Sequence, residues 1–210
     1  MDSTFADLQK KSLVWLPEHG IGFHPAEGFD YGEDYWAEYV RRAATPVGKA
    51  LTKARVDFVA KFMKGDLVDV GVGAGAFVEA RNAQKKGSTW GFDINPRAVA
   101  WLGERGWLVD PWQGCASASF WDSLEHLADP AALLARVRKW VFVSLPIFRD
   151  AQHVLASKHF KPGEHVWYFT HDGFVRWMAS QGWVCAGTSE VESELGREDI
   201  ETFAFYRRGA

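Results

Sequence analysis

The sequence predicts an α/β chain: a doubly wound, seven-stranded, mostly parallel sheet that ends in a C-terminal antiparallel hairpin. Three observations predict it. Short apolar runs alternate with amphipathic helical segments from about residue 46 onward, as in parallel strands joined by crossover helices. The last two runs, near 184–191 and 201–206, have no helix between them and should pair antiparallel. Apolar residues make up 47% of the chain and charged residues 24%, enough apolar surface for a core.

The elements follow in order. Residues 1–32 are rich in Pro and Gly yet carry Trp15, Phe23 and Phe29, so they should wrap over the body of the protein. Tyr35, Trp36, Tyr39 and Val40 have helical spacing within 31–43. Thr45-Pro46 reads as an N-cap and first helical position, and Leu51, Ala54, Phe58, Val59 and Phe62 form one apolar face ending at Gly65. Strands are then expected at 67–70, 89–93, 107–109, 118–124 and 139–145. Helices should start at Ala76, Pro96, Pro130 and after Thr170, where Asn95, Asp129 and Thr170 are the caps.

A length of 210 residues suits one domain, read here as residues 46–210 preceded by an extension or lid at 1–45. A net charge of −3 gives no general attraction to nucleic acid or an anionic membrane. Two cysteines, Cys115 and Cys185, make neither a disulfide scaffold nor a thiolate metal site. The start lacks the pattern of a secretory signal, and the longest apolar stretch, Trp140–Phe148, is too short to span a bilayer. A cytoplasmic protein is expected; its oligomeric state is not legible. The 11 tryptophans are far above ordinary usage. Seven fall on strands or inward helix faces and read as core; Trp15, Trp36, Trp112 and Trp167 fall where a ligand is expected.

The turn Val70-Gly71-Val72-Gly73-Ala74-Gly75-Ala76 joins strand to helix. Glycines there let the backbone approach a ligand closely, and the helix N-terminal N–H groups face it. Asp93 ends the next strand, where a carboxylate can take both hydroxyls of a ribose. Gly71-x-Gly73-x-x-Ala76 also fits the dinucleotide pattern, so on the glycines alone an NAD(P)-linked oxidoreductase stays open.

Asp69-Val70-Gly71-x-Gly73-x-Gly75 followed by Gly91-Phe92-Asp93-Ile94 resembles the first two motifs of the class I S-adenosylmethionine (SAM)-dependent methyltransferases. Leu124-Glu125-His126 with Asp129-Pro130 resembles the branch holding the ubiquinone-pathway O-methyltransferases and the small-RNA 2′-O-methyltransferases. The resemblance implies a Rossmann-like fold over about 47–206 and SAM as the donor. It implies that Asp69, Gly71, Gly73 and Gly75 lie at the methionine end and Asp93 on the ribose. Ile94, Asp110 and Trp112 would lie about the adenine, with Asp122 also at the donor.

Asp122, Glu125 and His126 stand at i, i+3 and i+4, and carboxylates with imidazole suit a hard or borderline divalent cation. In the resembling branches such a set binds a metal beside the acceptor hydroxyl, and His165 would be its further ligand. That implies a site of Asp122, Glu125, His126 and His165 for Mg or a similar cation. The metal-free alternative makes His126 or His165 a general base beside Glu125.

The acceptor should enter over the carboxyl ends of the strands, beneath 13–42 and 146–169. A small-molecule or sugar-like acceptor, methylated at oxygen, is the leading expectation. A nucleic-acid methyltransferase is the alternative, unsupported by charge; the Asp/Asn-Pro-Pro-Tyr/Phe loop of DNA amino-methyltransferases is absent. No membrane partner is expected.

Overall fold

The structure is a computed structural model that describes residues 13–25, 33–85 and 87–209. Phe29 and Tyr31 lie outside the described residues. The first half of the chain forms β1 (Val14–Leu16), β2 (Ile21–Phe23), α1 (Glu33–Ala44), α2 (Pro46–Phe62), β3 (Leu67–Val70), α3 (Ala76–Ala83), β4 (Thr89–Phe92) and α4 (Pro96–Glu104). The second half forms β5 (Cys115–Trp121), α5 (Pro130–Leu134), β6 (Val137–Pro146), α6 (Ala151–Ala156), β7 (Trp167–Phe169), α7 (His171–Ser180), β8 (Trp183–Ser189), α8 (Val191–Glu194) and β9 (Ile200–Arg207).

The main sheet has the order β4-β3-β5-β6-β9-β8. Its first four strands are parallel and β9 runs antiparallel to both β6 and β8. Alternation along each strand sorts the core onto two faces. Val68, Val70, Phe120, Val141, Val143, Phe203 and Phe205 meet Phe174 and Met178 of α7 on one face. Leu67, Trp121, Phe142 and Ala204 meet Val56, Phe58 and Val59 of α2 on the other. Burying one such ring as Phe142 stabilises by ~1.5–3 kcal/mol.

The expected caps are present: Thr45, Asn95, Asp129 and Thr170 each accept from a backbone N–H of the first turn. Two expectations need correction. The main sheet has six strands, because the segment at 107–109 makes only one parallel bridge, Leu108 to Gly91. Asp110 caps a 3-10 turn at Pro111–Gln113, and Pro111 has no N–H to continue a ladder. The connection between β8 and β9 is not helix-free: α8 fills it, and Ser193 Oγ donates to the carbonyls of Arg197 and Ile200.

A second sheet, β1-β2-β7, is antiparallel and lies in segments read from sequence as irregular. It pairs Ile21 with Phe169 and Phe23 with Trp167, which ties residues 13–25 to the segment before α7. Among the described residues no helix is long and apolar enough to cross a membrane.

Candidate active site

The glycine turn leaves β3 at the centre of the sheet, with Gly71, Gly73 and Gly75 at φ of 78°, 51° and 74°. The same left-handed backbone serves different neighbours. A Cβ on Gly73 would lie 2.9 Å from Cδ1 of Tyr39, so the ring of Tyr39 rests directly on the turn. A Cβ on Gly75 would lie 2.3 Å from Cζ3 of Trp101, and Gly75 lines no cavity described here. Gly75 therefore serves the packing of α3 against α4.

Asp93 Oδ2 accepts from Gly73 N at 3.2 Å and its Oδ1 from Asn95 N at 2.8 Å. Burial raises its pKa, and these amide donors oppose the rise. On the neighbouring strand, Asp69 is buried and accepts a 2.6 Å bond from Ser119 Oγ. Burial pushes its carboxyl up to about 7, against the pull of Ser119 and Arg55.

Two cavities meet over this turn. The larger, about 350 Å³, is lined by Asp93, Ile94, Ser123, His126, Leu127 and Glu164 among others. The smaller, about 180 Å³, is lined by Asp69, Thr52, Arg42, Arg55 and Arg197 among others. Tyr39, Gly71, Gly73, Trp121 and Asp122 line both. The large cavity thus holds the Asp93 carboxylate, and the small one holds the Asp69 carboxyl with the guanidinium groups of Arg42, Arg55 and Arg197.

Asp122 follows β5 in a left-handed conformation, φ 57°. Arg197 grips it with two bonds, Nη1 to Oδ2 at 2.8 Å and Nη2 to Oδ1 at 2.9 Å, and Arg55 Nη2 adds a third at 2.9 Å. Glu192, fully buried, bonds Arg55 Nε at 2.7 Å and also pairs with Arg197. Burial opposes ionisation of Asp122, but Arg197 and Arg55 together outweigh it and hold the carboxyl well below the usual range. Sequence reasoning missed this quartet, which joins α2, β5 and the β8–β9 connection across 67 to 137 positions.

Past Asp122 the chain makes a 3-10 turn, Leu124–His126. Val166 N donates to Glu125 O at 2.9 Å and Trp167 Nε1 to Leu127 O at 2.9 Å, which brings His165 beside the turn. The rings of His126 and His165 are 4.6 Å apart. Ligand atoms of Glu125, His126 and His165 lie within 4.8 Å of one another. Both Glu125 carboxyl oxygens and His165 Nδ1 are buried without a hydrogen-bond partner among the described residues. Burial raises the Glu125 pKa well above its ordinary value and lowers that of His126 to about 4 and that of His165 well below normal. His126 Nε2 approaches Glu125 Oε1 at 3.9 Å, with burial disfavouring the charged form of both groups.

The structure brings together Glu125, His126 and His165, and leaves Asp122 with the arginines. At the adenine end Ile94 lines the large cavity and is exposed, whereas Asp110 and Trp112 line neither cavity. Asp110 bonds Trp112 N at 3.0 Å and Gln113 Nε2 at 3.2 Å. The tryptophan at the site is Trp121, read from sequence as core; Trp15, Trp36 and Trp167 pack elsewhere.

A methyltransferase domain family matches residues 33–186, more than half of the chain. No curated protein matches. Solved structures share the fold at low identity. Magnesium protoporphyrin IX methyltransferase (ChlM) from Synechocystis PCC 6803, with bound S-adenosylhomocysteine (SAH), is 15% identical, covering 84% of this chain and 90% of that one, at a TM-score of 0.55. The N-methyltransferase NodS from Bradyrhizobium japonicum WM9, also with SAH, is 12% identical, covering 85% and 100%, at 0.56. The small RNA methyltransferase HEN1 is 16% identical, covering 79% of this chain and 26% of that one, at 0.54. These neighbours differ in acceptor, so the likeness shows the fold and not a branch. The oxidoreductase reading that the glycines left open gives way to the family match. The chain belongs to the methyltransferase domain family and is a SAM-dependent methyltransferase.

Proposed function

We propose that the protein transfers the SAM methyl group to a hydroxyl of a small, uncharged, sugar-like or phenolic acceptor. The donor spans both cavities, its ribose on Asp93 and its methionine end beside Asp69. Of the segment 13–42, residues 13–25 and 33–42 help cover the acceptor. The observation that carries the acceptor reading is the lining of the large cavity, which among the described residues includes Ser123, His126 and Glu164 and no Lys or Arg. In the segments flanking the cavity, Arg41 and Arg42 pair with Glu38, Lys158 with Glu198 and Lys161 with Glu164. Nothing in the lining compensates a phosphate.

The sulfonium is an activated donor, so alignment and exclusion of water supply much of the rate. His126 is neutral at pH 7 and faces the cavity, where it accepts the hydrogen bond of the acceptor hydroxyl and takes its proton as the new bond forms. The orphaned atoms of Glu125 and His165 also fit a divalent cation, held by Glu125, His126 and His165 without Asp122. Two imidazoles and one carboxylate suit Zn, Fe or Ni better than Mg. Bound there, a cation would acidify an acceptor hydroxyl.

The test offers labelled SAM to pools of neutral hydroxyl compounds, their phosphorylated counterparts and RNA oligonucleotides. Label is expected in the neutral pool. Label confined to phosphorylated compounds or RNA sinks the acceptor reading. Asp93→Ala should weaken SAM and SAH alike by tenfold or more in calorimetry; unchanged affinity would remove Asp93 from the donor site.

A further inference from the structure

The two cavities are joined where Tyr39, Gly71, Gly73, Trp121 and Asp122 line both. In SAM the sulfur links the ribose-bearing half to the amino-acid half. With the ribose on Asp93 in one cavity and the methionine end in the other, the sulfonium falls at this junction. The junction has the chemistry of a cation site: two aromatic rings and a carboxylate.

The three groups are not equally available. The Asp122 carboxylate is neutralised by Arg55 and Arg197. Trp121 already carries the Arg55 guanidinium 5.2 Å from its ring centroid and meets Phe77 edge-on at 5.0 Å. Tyr39 remains. Its ring lies directly on Gly73, where any side chain would displace it. Tyr35 stacks on it at 4.6 Å, and the two hydroxyls share a 2.8 Å hydrogen bond, which fixes the ring in place. The Arg42 guanidinium sits 6.0 Å from its centroid, at the outer limit of such contacts, and is paired with Glu38.

We propose that Tyr39 is the positioning residue that recognises the sulfonium charge, so that the site distinguishes the cationic donor from its neutral product. The inference rests on SAM being the donor. In the transfer, the acceptor oxygen forms a bond to the methyl carbon as the sulfur–carbon bond breaks. The bonding pair goes to sulfur, and the acceptor proton goes to the base. The sulfur then carries no charge, and the ring of Tyr39 loses its partner. The same contact that aligns the methyl thereby loosens the product.

The experiment measures SAM and SAH dissociation constants by calorimetry for the wild type, Tyr39→Leu and Tyr39→Phe. A half-buried aromatic contact to a cation corresponds to about five- to tenfold in affinity. Tyr39→Leu should weaken SAM by that factor more than it weakens SAH, and Tyr39→Phe, which keeps the ring, should retain the wild-type ratio. SAH binding by each variant is the internal proof of an intact site. A Tyr39→Leu ratio equal to the wild-type ratio, or one that Tyr39→Phe lowers as far, overturns the proposal. A wild-type protein that binds neither ligand overturns the donor reading itself, a separate result.

Discussion

Asp69 supplies the sharpest test of the energetics. It lies at the centre of the sheet, buried, with Ser119 as its one short side-chain partner, and its carboxyl is raised from 3.8 to about 7. Between those values the folded protein keeps a proton that the unfolded chain has released. Stability therefore falls as pH rises through this window, by about 1.4 kcal/mol per unit, and levels off above about pH 7. Asp69→Asn keeps an oxygen to accept the Ser119 bond and does not titrate. The variant should gain on the wild type steadily from pH 4 to 7, reaching on the order of 3–4 kcal/mol at pH 8. With a urea slope of about 2–3 kcal/mol/M, the midpoints would separate by roughly 1–2 M at pH 8 and converge near pH 4. Urea titrations across pH 4–8 measure this, provided both proteins unfold in one transition. A gap that does not change with pH would refute the reasoning. SAM binding supplies a second arm: an ammonium beside Asp69 should drive off its proton below pH 7, a release absent in Asp69→Asn and read from calorimetry in buffers of different ionisation enthalpy.

Two further predictions follow from packing and charge. Gly75→Ala should destabilise by about 2 kcal/mol or more, because the methyl meets Trp101 and the backbone is left-handed, φ 74°; SAH affinity in the folded fraction should hold within about twofold, and a large loss would return Gly75 to the donor site. Glu125→Gln should change stability by less than about 1 kcal/mol, since burial raises the Glu125 pKa well above its ordinary value and favours the uncharged form, yet it should abolish binding of Zn or a similar ion measured directly by calorimetry; undiminished binding would place the cation elsewhere.

The strand–glycine turn–helix and the carboxylate after the next strand were legible because their signals are local. Glycines two residues apart, an acid at the end of the next strand and the caps Thr45, Asn95, Asp129 and Thr170 act within a few positions. The acceptor half was harder to read. β1, β2 and β7 have three residues each, too few to show a period of two. The Arg55–Asp122–Arg197–Glu192 quartet depends on pairings across most of the chain, and nothing in a single sequence marks Arg197 apart from any surface arginine. Trp112 was placed at the adenine because it follows Asp110 at the end of a segment read as a strand, but that segment makes only one bridge and the carboxylate turns back on its own loop. Trp121 was hidden by its position on a buried strand: β5 ends there, and the last residue of a central strand serves both core and site.

The small sheet bears on the order in which the protein assembles. The glycine turn, β3 and β4 are neighbours in sequence and need little loop closure, whereas β2, beyond its hairpin with β1, pairs with β7, far along the chain. Loop-closure entropy must be met before such distant contacts stabilise anything. During synthesis β3, the glycine turn and β4 can therefore meet before β7 has left the ribosome, while the ribbon at 13–25 waits for its third strand. Full-length chains caught before β2 and β7 pair should already bind SAH, so the proposed donor can act as an early folding ligand.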